Sequence, residues 1–423
     1  MDTGKLLELL HSQVIPAIGC TEPVSVAIAV ATAKQHITKE INNVEVSMSL
    51  NIFKNGMHVG IPGTTQKGLY AAIALSLAIE EPTLDLEIFK DVDEQIILNA
   101  QRFLDAKIIH VNAIQNHAEF FIKVIIHSST EIAECVIEAN HTNIISVKKN
   151  GVELLDSITS ESEKNSATNE TISTLEEIYS FIEAVDPLDV AFLLSGADMN
   201  LRIAEVGKTE RYSSGLGVRL FSLMEKGLLT NDISNVIKAY TAAACDARMG
   251  GVNLPVMSSS GSGNQGIVAT IPVALLARHL QVSDEKLTLA LALSHLITNY
   301  IKQQTGRLSP VCGCAVAAGI GSTVALTYLQ DGTPKQMNMA INNMVGTLAG
   351  MVCDGAKGGC SYKLATAATE AYLQSLVVFD QTSVSDNDGI IGDTTEQTLT
   401  NLGLLCKKGM KSVDETLVAI LSK

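Results

Sequence analysis

Apolar residues recur along this chain with two different spacings, and each marks out a different half. Residues 5–37 carry a helical pattern that breaks near Pro16-Ala17-Ile18-Gly19; after Thr21-Glu22-Pro23 an alanine- and valine-rich run continues to His36. The period then changes. Val44, Val46, Met48, Leu50 and Ile52 alternate with more polar neighbours, which is strand spacing. Asn55-Gly56 is a hairpin-turn signal, so residues 57–61 are expected as the return strand. Residues 67–79 and 84–103 read as helices. Strand patterns follow at 108–113, 119–128, 131–140 and 144–148, closed by Asn150-Gly151. Strands so close in sequence imply an antiparallel sheet with helices packed on it.

Residues 156–172 are rich in Ser, Thr, Asn and Glu and read as a linker. From 173 onward nearly every segment is helical, punctuated by glycine-rich turns. The expected fold is α+β: a mostly helical domain at 173–423, a smaller antiparallel sheet domain with packed helices at 41–155, and N-terminal helices at 1–40 that pack on the helical domain.

Composition narrows the function classes. With no tryptophan and 4% aromatic residues, the core must be aliphatic, and its alanines and glycines let helices approach closely. The net charge of -15 repels phosphate backbones and anionic membranes, so neither a nucleic-acid nor a membrane partner is expected. The first residues lack a basic stretch before an apolar core, and the apolar runs fall short of the roughly 18 residues that span a bilayer. A cytoplasmic location is expected, where the eight cysteines serve as buried thiols, metal ligands or catalytic groups rather than disulfides.

Three cysteines share one context. Gly19-Cys20, Gly313-Cys314 and Gly359-Cys360 each open an alanine-rich run of helical character. Free N–H groups and the positive end of the helix dipole favour thiolate there, although packing alone also places cysteine at such starts. Cys353 and Cys360 bracket a loop containing three glycines and Lys357, able to fold round an ion or cluster. In Cys312-Gly313-Cys314 the second cysteine fits the helix-start pattern better. Cys135, Cys245 and Cys406 read as packing residues. The run Ser258 to Gly266 sets Ser259, Ser260, Ser262 and Asn264 ahead of a helix, a seat suited to an amino-acid carboxylate. Asn51, Lys54 and Asn55 form a polar hairpin tip that can close over a substrate.

Gly19-Cys20-Thr21-Glu22-Pro23, Lys54-Asn55-Gly56 with Gly60-Ile61-Pro62-Gly63, Ser259-Ser260-Gly261-Ser262-Gly263-Asn264, the run Gly306 to Cys314, and Cys353-Asp354-Gly355-Ala356-Lys357 occur in that order. Together they resemble the L-cysteine desulfidase family, which shares its helical catalytic domain with the alpha part of iron–sulfur L-serine dehydratases. The resemblance runs from about residue 10 to 400. It implies a [4Fe-4S] cluster with one open iron, held at the positions of Cys314, Cys353 and Cys360. Cys20 matches an N-terminal cysteine that acts as base or fourth ligand, and is the candidate catalytic residue. Gln265 stands where many members are expected to carry histidine, and Gly359 where a different small residue is common. The implied chemistry is Lewis-acid polarisation of a small amino-acid substrate and removal of its Cα proton. L-cysteine then gives pyruvate, ammonia and sulfide without pyridoxal phosphate. L-serine dehydration is the alternative within the enzyme class; a non-catalytic iron–sulfur sensor or structural protein and a structural zinc protein lie outside it. The oligomeric state is left open, homo-oligomer included.

Overall fold

The structure is a computed structural model that describes residues 3–82, 87–115, 120–154, 172–306 and 308–421. The linker expected at 156–172 lies outside the described residues except for Ile172.

Eight strands are present among the described residues: β1 Pro16–Ile18, β2 Ile41–Ser49, β3 Ile109–Ile114, β4 Phe121–Ser128, β5 Ile132–Glu138, β6 Ile144–Lys149, β7 Val152–Glu153 and β8 Pro255–Met257. Six make one sheet in the order β3-β2-β4-β5-β6-β7. The alternation read from the sequence is the alternation of burial. Val44, Val46 and Met48 of β2 are fully buried, while the residues between them stay half-exposed. Four of the five neighbouring pairs are antiparallel and β2 with β3 is parallel, so the sheet is mixed. A parallel neighbour needs a crossover, and three helices (Leu50–Gly56, Gly68–Ala78 and Glu94–Asp105) lie in the connection between β2 and β3.

Three local expectations are corrected. Residues 50–56 form a helix and not a hairpin tip, and no return strand follows, only a single bridge between Gly60 and Lys67. Alternation ends at Ser49: Ile52 and Phe53 are consecutive and both buried, which a strand with one solvent-facing side cannot provide. The helix expected at 84–103 is Glu94–Asp105, because the Asp93 carboxylate accepts from the Ile96 amide and fixes the N-terminus there; residues 83–86 lie outside the described set. Finally, the helix Thr21–Lys34 packs on the sheet rather than on the helical half. Val24 to Ala33 are buried on every side in the cluster built by β2, β4 and β5, as an alanine- and valine-rich helix without a polar face must be. Cys20, just ahead of it, belongs instead to the core of the helical half.

That second core is built around three successive helices, Gly263–Leu280, Asp284–Thr305 and Ala317–Leu329, with Ile233–Met249 and Cys360–Val377 against them. β1 and β8 pair antiparallel, Pro16 opposite Met257 and Ile18 opposite Pro255, and this tie carries Cys20 to the start of the helix Gly263–Leu280. The last helix, Val413–Leu421, crosses back to the sheet side and buries Val418 there. No helix among the described residues is long and apolar enough to cross a membrane.

Candidate active site

One cavity of about 100 Å³ lies where the two cores meet. Of the residues singled out in the sequence, Cys20, Asn51, Lys54, Asn55, Ser260, Ser262, Asn264, Cys314, Cys353 and Cys360 all line it; Ser259 does not. Segments from positions 20 to 360 therefore converge on a single space.

Cys20 occupies the N-cap of the helix Thr21–Lys34. Its thiol donates to Glu22 Oε2 at 2.9 Å, and Glu22 Oε1 accepts from the Asn55 side-chain amide, also at 2.9 Å. Burial, then the Glu22 carboxylate, push the Cys20 thiol well above its ordinary value, against the pull of Arg248. The helix start does not make it a resting thiolate. Burial would raise Glu22 as well, but His141, the Cys20 thiol and Asn55 together hold that carboxyl below its usual value. The pair rests as thiol and carboxylate.

Facing them, the serine-rich run leaves β8 in a tight turn. The Ser259 and Ser262 backbones bond each other in both directions, with Ser260 at φ 48° and Gly261 at φ 79°. Ser262 then caps the helix Gly263–Leu280 without a side-chain bond. The Ser259 hydroxyl is turned away, 2.9 Å from His295 Nδ1. His295 is fully buried and pushed down to about 3, so it stays neutral. Asn264 is engaged as well: its Oδ1 accepts from Arg248 Nη1 at 2.9 Å. Arg248 Nη2 donates to the Gly19 carbonyl. A Cβ on Gly263 would lie 2.5 Å from Arg248 Nε, so only glycine lets the guanidinium rest against this helix start.

The third wall is made of cysteines. The backbones at Cys312 and Cys353 are joined by Cys312 N–H to Met351 O and Cys353 N–H to Pro310 O, both 2.7 Å, around a bridge between Val311 and Val352. Cys360 is the first residue of the helix Cys360–Val377. Between them Gly355, at φ 92°, lies so close to the Lys54 carbonyl that a Cβ would come within 2.2 Å of it. Burial raises Cys353 and takes Cys360 up to about 11. The hydrogen bond between Cys312 and Cys314 pushes Cys314 up and Cys312 down. Lys302 reaches the cavity from the helix Asp284–Thr305, its amine lowered by burial with the cysteines opposing. Lys54 lines the cavity, but its amine is bonded to Asp414. Among the described residues no three His, Cys, Asp or Glu side chains close round one point as single-ion ligands do.

Sequence reasoning missed Glu22, Arg248 and Lys302 as cavity residues; Cys312 was weighed there as the alternative to Cys314, and Gln265 was noted only for standing where histidine is expected. Glu22 sits inside the quoted Cys-Thr-Glu-Pro motif and was legible there. Arg248 and Lys302 are charges in helical runs that bury the residues around them, the kind of placement that calls for a partner.

Residues 149–419 match the family model described as the serine dehydratase alpha chain. The chain is 39% identical to a UPF0597 protein of Clostridium tetani (strain Massachusetts / E88), covering 99% of this chain and 98% of that one. It is also 39% identical to a UPF0597 protein of Clostridioides difficile (strain 630), with 98% and 99% covered, and to one of Desulfatibacillum aliphaticivorans, with 98% and 97% covered.

Proposed function

We propose, for a chain that belongs to the serine dehydratase alpha chain family, an iron–sulfur-dependent elimination on a small β-substituted L-amino acid, with L-cysteine giving pyruvate, ammonia and sulfide. One observation carries this reading: an acid–base pair, an anion seat and a wall of cysteines share one small cavity.

The donor set suits a [4Fe-4S] cluster. The hydrogen bond with Cys312, then burial, raises Cys314, and burial raises Cys353 and Cys360; the negative charge of neighbouring thiolates adds to all three, a crowding that a cationic centre relieves. When bound there, a cluster supplies an open iron that acts as a Lewis acid toward the substrate's oxygen or sulfur. The chain's own residues do the rest. The start of the helix Gly263–Leu280, with Ser260 and Ser262, seats the carboxylate, and Asn264 holds Arg248 beside it. Asn51 and Asn55 border the opposite side. Cys20 takes the Cα proton as its thiol proton passes to Glu22. The C–H electron pair forms the Cα–Cβ double bond and the β-substituent leaves with its own pair. The resulting 2-aminoacrylate hydrolyses in water to pyruvate and ammonia.

L-serine dehydration is the second reading, supported by the name of the matched family. Anaerobic reconstitution, an iron count, and side-by-side assays with L-cysteine and L-serine decide between them. About four irons per chain are expected, with a higher kcat/KM for L-cysteine. A higher value for L-serine establishes the second reading. A full cluster with no turnover of either sinks elimination and leaves a sensor or structural role; a colourless zinc protein removes both iron readings.

A further inference from the structure

Five buried side-chain N or O atoms among the described residues lack a hydrogen-bond partner, and three of them belong to residues that line this one cavity: Arg248 Nε, Ser260 Oγ and Gln265 Oε1. Their residues are 4%, 7% and 6% exposed. A buried donor or acceptor without a partner is rare in a folded chain and persists where a ligand completes it. These three differ in kind. Arg248 offers an N–H on a full positive charge, its plane fixed by the Gly19 carbonyl and Asn264. Ser260 offers a hydroxyl from the turn just ahead of a helix whose N-cap side chain makes no capping bond. Gln265 offers a neutral acceptor from the third residue of that helix.

We propose that this trio binds both charged ends of a free α-amino acid: Arg248 Nε and Ser260 Oγ donate to the carboxylate oxygens, and the α-ammonium donates to Gln265 Oε1. The inference deepens the elimination reading and rests on it for the identity of the site. Its consequence is a specificity rule. The cavity selects molecules that carry both charges on one carbon, and rejects decarboxylated amines, deaminated acids and residues within a peptide.

The test uses three inert ligands and the chain reconstituted anaerobically. L-Alanine has both charges and no leaving group, propionate lacks the ammonium, and ethylamine lacks the carboxylate. By calorimetry L-alanine binds roughly ten- to a hundredfold tighter than either, the range of one hydrogen bond to a charged group. Gln265→Leu erases the preference over propionate and keeps that over ethylamine. Arg248→Lys, which keeps the charge but not the Nε donor, and Ser260→Ala shrink the preference over ethylamine alone. A merely structural role would weaken all three ligands alike, and that result overturns the assignment. So does wild-type protein that binds L-alanine no tighter than propionate or ethylamine, a measurement that stands even where a variant fails to fold. Turnover of L-cysteine and L-serine is read on the same sample. Ligand discrimination without turnover sinks the elimination reading alone; turnover without discrimination sinks this inference alone.

Discussion

Lys54 Nζ and Asp414 Oδ1 meet at 2.5 Å, across 360 positions of sequence, and tie the short helix beside the cavity to the last helix of the chain. The lysine is 1% exposed and the aspartate 16%. Removing one partner of such a pair leaves a charge buried and unpaired, which costs about 3–5 kcal/mol when both are buried. Asp414→Ala should therefore destabilise by about 3 kcal/mol, the lower end because Asp414 keeps some water. Urea unfolding measures it. Lys54→Met with Asp414→Leu should recover most of the loss, since no charge is then stranded. An Asp414→Ala protein as stable as the parent would show that the amine finds another acceptor.

His295 sets a pH dependence of stability. Burial depresses its native value to about 3, from 6.5. Between these values the unfolded chain binds a proton that the native chain does not, so stability rises with pH. The contribution is fully present above about 6.5 and is lost progressively as pH falls toward about 3. In His295→Gln the slope across this window should flatten, while the two proteins change in parallel above it. Denaturant midpoints at pH 5 and pH 8 are the comparison; an equal difference at both would mean that His295 takes up its proton over the same pH range in the native chain as in the unfolded one.

What the sequence made legible was local. The burial of Val44, Val46 and Met48 follows from their alternation, and Cys20 and Cys360 do sit at helix starts. The distribution of helices and strands between the two halves was readable for the same reason, since it depends on period alone. Pairings across long separations were not. Nothing near Ile109 says that it lies parallel beside Val44, and nothing near Lys54 points to Asp414. The anion seat was half legible: the composition of Ser258 to Gly266 suggested it, but only packing turns Ser259 toward His295 and commits Asn264 to Arg248. Cys20 was expected as a thiolate from its helix start, and burial beside a carboxylate reversed that.

The Cys312–Cys314 pair can be separated by iron content. Both line the cavity, but Cys312 is the more buried and its backbone is pinned to Met351, whereas Cys314 is half-buried, with its sulfur 4.0 Å from the Ser262 hydroxyl. Cys314→Ser, like Cys353→Ser and Cys360→Ser, should sharply reduce iron after anaerobic reconstitution, whereas Cys312→Ser should keep close to the parent's content. Reversal of the first and last results would make Cys312 the ligand and Cys314 its hydrogen-bond partner.

Glu22 decides how Cys20 works, because its two conceivable roles push activity in opposite directions. Its negative charge raises the Cys20 thiol. Glu22→Gln keeps the size of the side chain and a carbonyl oxygen for Asn55, but removes both the charge and the proton acceptor. Cys20 should then ionise more readily, and its alkylation by iodoacetamide, read by peptide mass spectrometry, should move to lower pH. If Cys20 acted alone, that larger thiolate fraction would raise turnover near neutral pH. If Glu22 must receive the thiol proton, turnover falls in spite of it. We expect the second result, a loss in kcat of about 10²–10⁴, the usual worth of a positioned acid–base group, with iron content and L-alanine affinity unchanged. Parallel losses of iron or of thermal stability would instead make Glu22 a packing residue. Turnover that rises together with the alkylation rate would leave Cys20 as the sole base.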